Sequence, residues 1–74
     1  MVVLPLVPGD TGPMVKQMQT AIIKHGFSCG SKGADGSFGN ATLTALEVFQ
    51  DDNALPVQPK CDQQCWTALG LAGP

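Results

Sequence analysis

The chain has 74 residues, 43% apolar and only 14% charged, which allows one small domain with a core that needs tight packing or a staple. Its four lysines, lack of arginine and net charge of -2 give no basic face for nucleic-acid phosphates and no basic stripe for anionic lipid. Its surface must instead be rich in neutral polar groups: Gln, Asn, Ser, Thr and exposed backbone.

Val2 to Pro8 is apolar but short, holds two prolines and lacks a basic flank. Residues 1–8 read as an extended segment packed on the domain, and as neither a signal peptide nor a membrane span. The domain itself is expected over residues 9–71. Residues 72–74 read as a linker, as in a module excised from a longer protein. Pro8-Gly9-Asp10-Thr11-Gly12-Pro13 is a turn cluster that starts a helix over residues 13–25, with Asp10 or Thr11 as its cap. Met14, Val15, Met18, Ala21, Ile22 and Ile23 recur at helical spacing, whereas Lys16, Gln17, Thr20 and Lys24 fall on the other side. Gly26 stops the helix.

A loop from Phe27 to Ala34 leads into Asp35-Gly36-Ser37-Phe38-Gly39. That run reads as a tight turn planting one large side chain, Phe38, under the start of a second helix. The second helix is expected over residues 40–53, capped by Gly39 or Asn40, with Thr42, Ala45, Leu46 and Phe49 on one face. Acids suit a helix C-terminus poorly, so Asp51 and Asp52 predict a stop near Asp51. Leu55-Pro56-Val57-Gln58-Pro59 is an extended link with Leu55 and Val57 as apolar anchors. Asp62 caps a third helix over residues 63–69, with Trp66 and Leu69 inward and Gly70 as its stop.

An internal repeat runs at an offset of 23 residues: Phe38 pairs with Cys61, Gly39 with Asp62, Thr42 with Cys65, Leu43 with Trp66, Ala45 with Ala68 and Leu46 with Leu69. The fold class that follows is all-α, a compact three-helix bundle with two turn-anchored helices. The three cysteines, Cys29, Cys61 and Cys65, are an odd count and not a complete disulfide framework. Free, partly buried thiols are expected, with a bridge between some pair as the competing arrangement; Cys61 and Cys65, four apart, are close enough to form one if the first lies just outside a helix. One histidine and three scattered cysteines do not make a metal-ligand set.

No catalytic constellation stands out. His25 belongs at the end of the first helix. Asp35 and Asp62 occupy turn and cap positions, where local hydrogen bonding is their expected work rather than paired acid–base chemistry. Trp66 is expected in the core rather than against a sugar. Gln19 and Gln50 each follow an apolar residue at equivalent helical places. They are read as bonding the backbone of a neighbouring turn, with ligand contact as the competing role.

Three groups of residues, in this order, resemble the peptidoglycan-binding domain at one end of many bacterial and phage cell-wall hydrolases, endolysins among them. The first is Gly12, Val15, Met18-Gln19 and Gly26; the second is Asp35-Gly36, Phe38-Gly39, Thr42, Ala45 and Phe49-Gln50. The third is Leu55, Val57, Trp66, Ala68 and Leu69-Gly70. The resemblance spans residues 9 to 70 and rests on order and spacing together. It implies a three-helix fold without catalytic activity, cofactor or metal. It also implies a monomeric module that binds peptidoglycan, by glycan or peptide stem, and anchors a covalently linked amidase, muramidase, lytic transglycosylase or peptidase. Such a module works outside the cell at the wall, away from nucleic acid and membrane. Candidate ligand-binding residues are Gln19, Asp35, Ser37, Asn40, Thr42 and Gln63.

The sequence departs from the family pattern in its second turn. Asp-Gly-x-Val-Gly is usual there and Gln58-Pro59-Lys60-Cys61-Asp62 stands instead, with Cys65 where Thr is usual. Pro59 rigidity or a Cys61–Cys65 bridge is expected to compensate. Two other readings are a regulatory prodomain, against which the lack of a Pro-Arg-Cys-Gly run counts, and a structural scaffold.

Overall fold

Helices form where apolar residues recur at helical spacing: α1 over Pro13–Lys24, α2 over Asn40–Asp52 and α3 over Gln63–Ala68. The computed structural model describes residues 4–71. The expected 72–74 linker lies outside them. Each helix ends within one residue of its expected limit. The all-α, three-helix expectation holds, with no strand among the described residues and two isolated antiparallel bridges.

The periodic faces meet in one core. Val15, Met18 and Ile22 of α1, Ala45, Leu46 and Phe49 of α2, and Cys65 and Trp66 of α3 are buried together with Leu6, Phe38, Cys61 and Leu69. Trp66 is therefore a core residue, as its place in the repeat requires. Ile23 and Val57 are exceptions. Ile23 is 42% and Val57 55% exposed. In the link, the Gln58 backbone makes the inward contact instead of the Val57 side chain, by donating to the Gln50 amide oxygen at 3.0 Å.

All three helices stop by the same device. The second residue past the cap donates to the carbonyl five positions back: Phe27 to Ile22 at 3.2 Å, Leu55 to Gln50 at 2.8 Å, Leu71 to Trp66 at 3.3 Å. The residue between is left-handed, with φ 95° at Gly26, 57° at Ala54 and 85° at Gly70. This is the Schellman arrangement, which satisfies otherwise orphaned carbonyls. Phe27, Leu55 and Leu71 then pack on the core. His25 reinforces the end of α1: its ring meets Phe49 edge-on at 5.2 Å, and Nε2 lies 3.4 Å from the Leu69 carbonyl.

The starts of the helices differ from the expectation. Neither Asp10 nor Thr11 caps α1; Gly12 holds that position without a side-chain bond. Asp10 instead accepts from the Val7 N–H at 2.9 Å, and Thr11 bridges to Ser37. The reason is that the N-terminal segment is spent on the turns. Gly9 donates to the Phe38 carbonyl and Phe38 to the Asp10 carbonyl, both at 2.9 Å, while Leu6 and Cys61 exchange bonds of 3.0 and 2.8 Å. Against the expectation for residues 1–8, the strip is not extended throughout but turns at Pro8-Gly9, where the Asp10 N–H donates to the Val7 carbonyl at 3.0 Å, and so fastens both anchored turns. Asp62 does cap α3, accepting from the Cys65 N–H at 3.0 Å. All three cysteines are free and buried, so the second turn stands without a disulfide.

Candidate binding site

Gln19 lies in the middle of α1, wholly buried, and faces the Asp35–Gly39 turn. Its amide oxygen accepts from the Gly36 N–H at 2.7 Å. Its amide nitrogen serves the Ser37 carbonyl at 2.9 Å, Asp35 Oδ1 at 3.1 Å and Thr42 Oγ1 at 2.9 Å. Asp35 Oδ1 also accepts from the Ser37 N–H at 3.0 Å. One buried amide thus holds the backbone and side chains of the turn to the first turn of α2. Such a bond set is rigid, because each member would lose its solvation without a partner.

Those bonds set the state of Asp35. The Ser37 N–H and then the Gln19 amide hold its carboxyl below the usual carboxylate range, and Lys32 adds to this. The carboxylate is exposed at the surface and stays charged at neutral pH. Burial, with the charge of Asp35 second, pushes the Cys29 thiol up. Cys29 is thus an inert apolar wall rather than a nucleophile.

Beside the turn lies an open pocket of about 270 Å³, lined by the segment from Cys29 to Lys32, by Asp35 and Ser37, and by the segment from Gly39 to Thr42. It is small against the roughly 300–1,000 Å³ of typical small-molecule clefts. Its walls are short side chains and main chain, with one acid and one base. Gly39 caps α2 with no side-chain bond to the first turn, so the N–H groups of that turn, whose residues line the pocket, have no side-chain cap.

Of the six candidate residues, Asp35, Ser37 and Asn40 are exposed on this pocket. Thr42 lines its floor at 3% exposure, and Gln19 lies behind the turn at 0%. These two support the site from within. Gln63 stands apart, exposed on α3 and bonded to Thr67 along its own helix at 3.1 Å. Cys29, Gly30 and Ala41 also wall the pocket. Sequence reasoning passed over them because a cysteine, a glycine and an alanine carry no polar signal; only the loop folding back on α2 brings them there.

The second turn repeats the first with altered parts. Gln50 donates to the Lys60 carbonyl at 2.9 Å, as Gln19 does to that of Ser37. Pro59 stands where Gly36 does and has no N–H, so the neighbouring Gln58 N–H donates to the Gln50 oxygen instead. The Gln58 amide then braces Asp62 at 2.9 Å. Cys61 replaces the Phe38 anchor; its hydrogen bond to Cys65, then burial, push its thiol up. No cluster of three or more His, Cys, Asp or Glu able to hold a metal occurs among the described residues.

Residues 11–69 match a family model described as a peptidoglycan binding domain. A type VI secretion system spike protein, VgrG3 of Vibrio cholerae, is 52% identical over 42 residues, 57% of this chain and 4% of its own length. The N-acetylmuramoyl-L-alanine amidase CwlL of Bacillus licheniformis is 38% identical over 52 residues, 70% of this chain and 14% of its own. The crystal structure of the SleB N-terminal domain superposes with a TM-score of 0.86 at 28% identity, covering 95% of this chain and 93% of that one. The chain therefore corresponds to a small part of the sequence relatives and to nearly all of that isolated domain.

Proposed function

The chain belongs to the peptidoglycan binding domain family, a non-catalytic wall-binding module, and we propose that it contacts the wall through the pocket between the Asp35 turn and the start of α2. The pocket's make-up supports this: a near-neutral recess of Ser, Asn, Thr and Gly residues with one acid and one base, held in place by buried Gln19. Peptidoglycan presents amides and hydroxyls in quantity. Asp35 and Ser37 supply acceptors, Asn40 supplies both kinds of group, and the uncapped helix start supplies donors.

A recess this small grips one chemical unit weakly. Retention then comes from repetition: a module tethered to an enzyme rebinds a polymer that offers the unit again and again. The likeness to an amidase supports a wall-cutting domain, joined covalently to this chain and working at the wall outside the cytoplasm. The reading needs no cofactor and no partner copy.

Co-sedimentation with purified sacculi tests it. The wild-type chain is expected in the pellet. A Ser37→Ala, Asn40→Ala double variant, which keeps the turn's backbone bonds, should bind about tenfold more weakly, from two lost hydrogen bonds of roughly 0.5–1.5 kcal/mol each. A wild-type chain left in the supernatant would refute wall binding. A double variant that pellets like wild type would refute the pocket.

A further inference from the structure

A second recess, sharing no residue with the first, lies against α1. It measures about 490 Å³ and runs between α1 and the end of α3, floored by Pro13, Ala21, Leu69 and Leu71. Lys16 and Lys24 stand on it. They are eight positions apart, about 12 Å along the helix axis. No acidic residue lines the groove.

The distribution of charge gives the groove a sign. Of the four lysines, Lys32 acts on Asp35 and Lys60 on Asp62. Lys16 and Lys24 have no ion-pair partner among the described residues. Lys16 and Lys24 thus share one apolar groove with no acid of the described residues beside them. The floor is also fixed: Leu69, Gly70 and Leu71 are tied by the Schellman bonds of α3, and His25 links Leu69 to α1.

From these observations we infer that the groove binds the peptide stem of peptidoglycan, with its methyl groups on the apolar floor and its free carboxylates on Lys16 and Lys24. This rests on the wall-binding reading and goes beyond it by assigning glycan-side contacts to the pocket and peptide contacts to the groove. Small alanine side chains suit a shallow apolar floor. Two or more free carboxylates suit two cations carried two turns apart on one helix. A neutral glycan satisfies neither lysine.

Two measurements on the full chain decide it. In sedimentation with sacculi, a Lys16→Gln, Lys24→Gln double variant should bind about three- to tenfold more weakly than wild type and lose most of its salt dependence, as expected for two surface charge pairs. In amide NMR, a synthetic stem pentapeptide with free carboxylates should move the signals of Thr20, Ala21 and residues 69–71. Its methyl ester should not. If wild type pellets while the double variant matches it at every salt concentration, or if acid and ester act alike, the groove assignment is overturned and wall binding stands. If wild type fails to pellet, both fall together.

Discussion

Ala54 is the residue at which the chain differs from its own rule. Two of the three helix ends place glycine at the left-handed position, and α2 places an alanine there at φ 57°. A side chain in that region costs roughly 1–2 kcal/mol, partly returned because glycine loses more backbone freedom on folding. Ala54→Gly should therefore stabilise the domain by roughly 0.5–1 kcal/mol and raise Tm by a few degrees. Thermal unfolding followed by circular dichroism checks this; an unchanged or lower Tm would contradict the strain. Gln19 is the opposite case, a residue that can hardly be replaced. Gln19→Leu keeps the volume but strands the Gly36 N–H and the Ser37 carbonyl, groups it now holds at 2.7 and 2.9 Å. A loss of roughly 2–3 kcal/mol is expected in urea unfolding, along with weakened sacculus binding. A neutral outcome would mean that water replaces the amide.

At the scale of elements, the two turns act as a pair fastened by the 6–12 strip, and their acids make them sensitive to low pH. Asp35 and Asp62 both have lowered folded-state pKa values, chiefly from the Ser37 and Cys65 N–H groups respectively. A depressed carboxylate contributes stability that is present above its unfolded value, about 4. That contribution is lost as pH falls through the folded value. Stability should therefore be level from neutrality down to about pH 5 and decline below it. An Asp35→Asn, Asp62→Asn variant should show a shallower decline. Urea midpoints measured against pH test both statements, and equal slopes would contradict them. Much of this level was legible in the sequence. Phe38 between glycines gave the anchored turn, Asp62 gave a true cap, and the 23-residue offset gave the paired helices. What was not legible needed contacts distant in the chain. Asp10 and Thr11 look like caps locally, yet pairing with the Phe38 turn occupies them. Lys16 and Lys24 look like a solvated face, until the end of α3 is seen to lie beside them.

At the scale of the whole molecule, the surface carries two recesses of different chemistry. One is a polar pocket built on the intact copy of the repeated turn; the other is an apolar groove carrying Lys16 and Lys24. The altered copy, with Pro59 and Cys61, keeps its architecture through Gln50 and Gln58. Its carboxylate is occupied with Gln58 and the α3 cap. The candidate residues divide accordingly. Asp35, Ser37 and Asn40 touch solvent on the pocket, Gln19 and Thr42 hold it from inside, and Gln63 belongs to a helix away from it. The most direct test of pocket binding is an amide shift map of the labelled 74-residue chain titrated with a soluble muropeptide carrying both sugar and stem. The amides of residues 31–42 are expected to move together and saturate along one curve. Unmoved signals in that segment, with or without changes elsewhere, would contradict it.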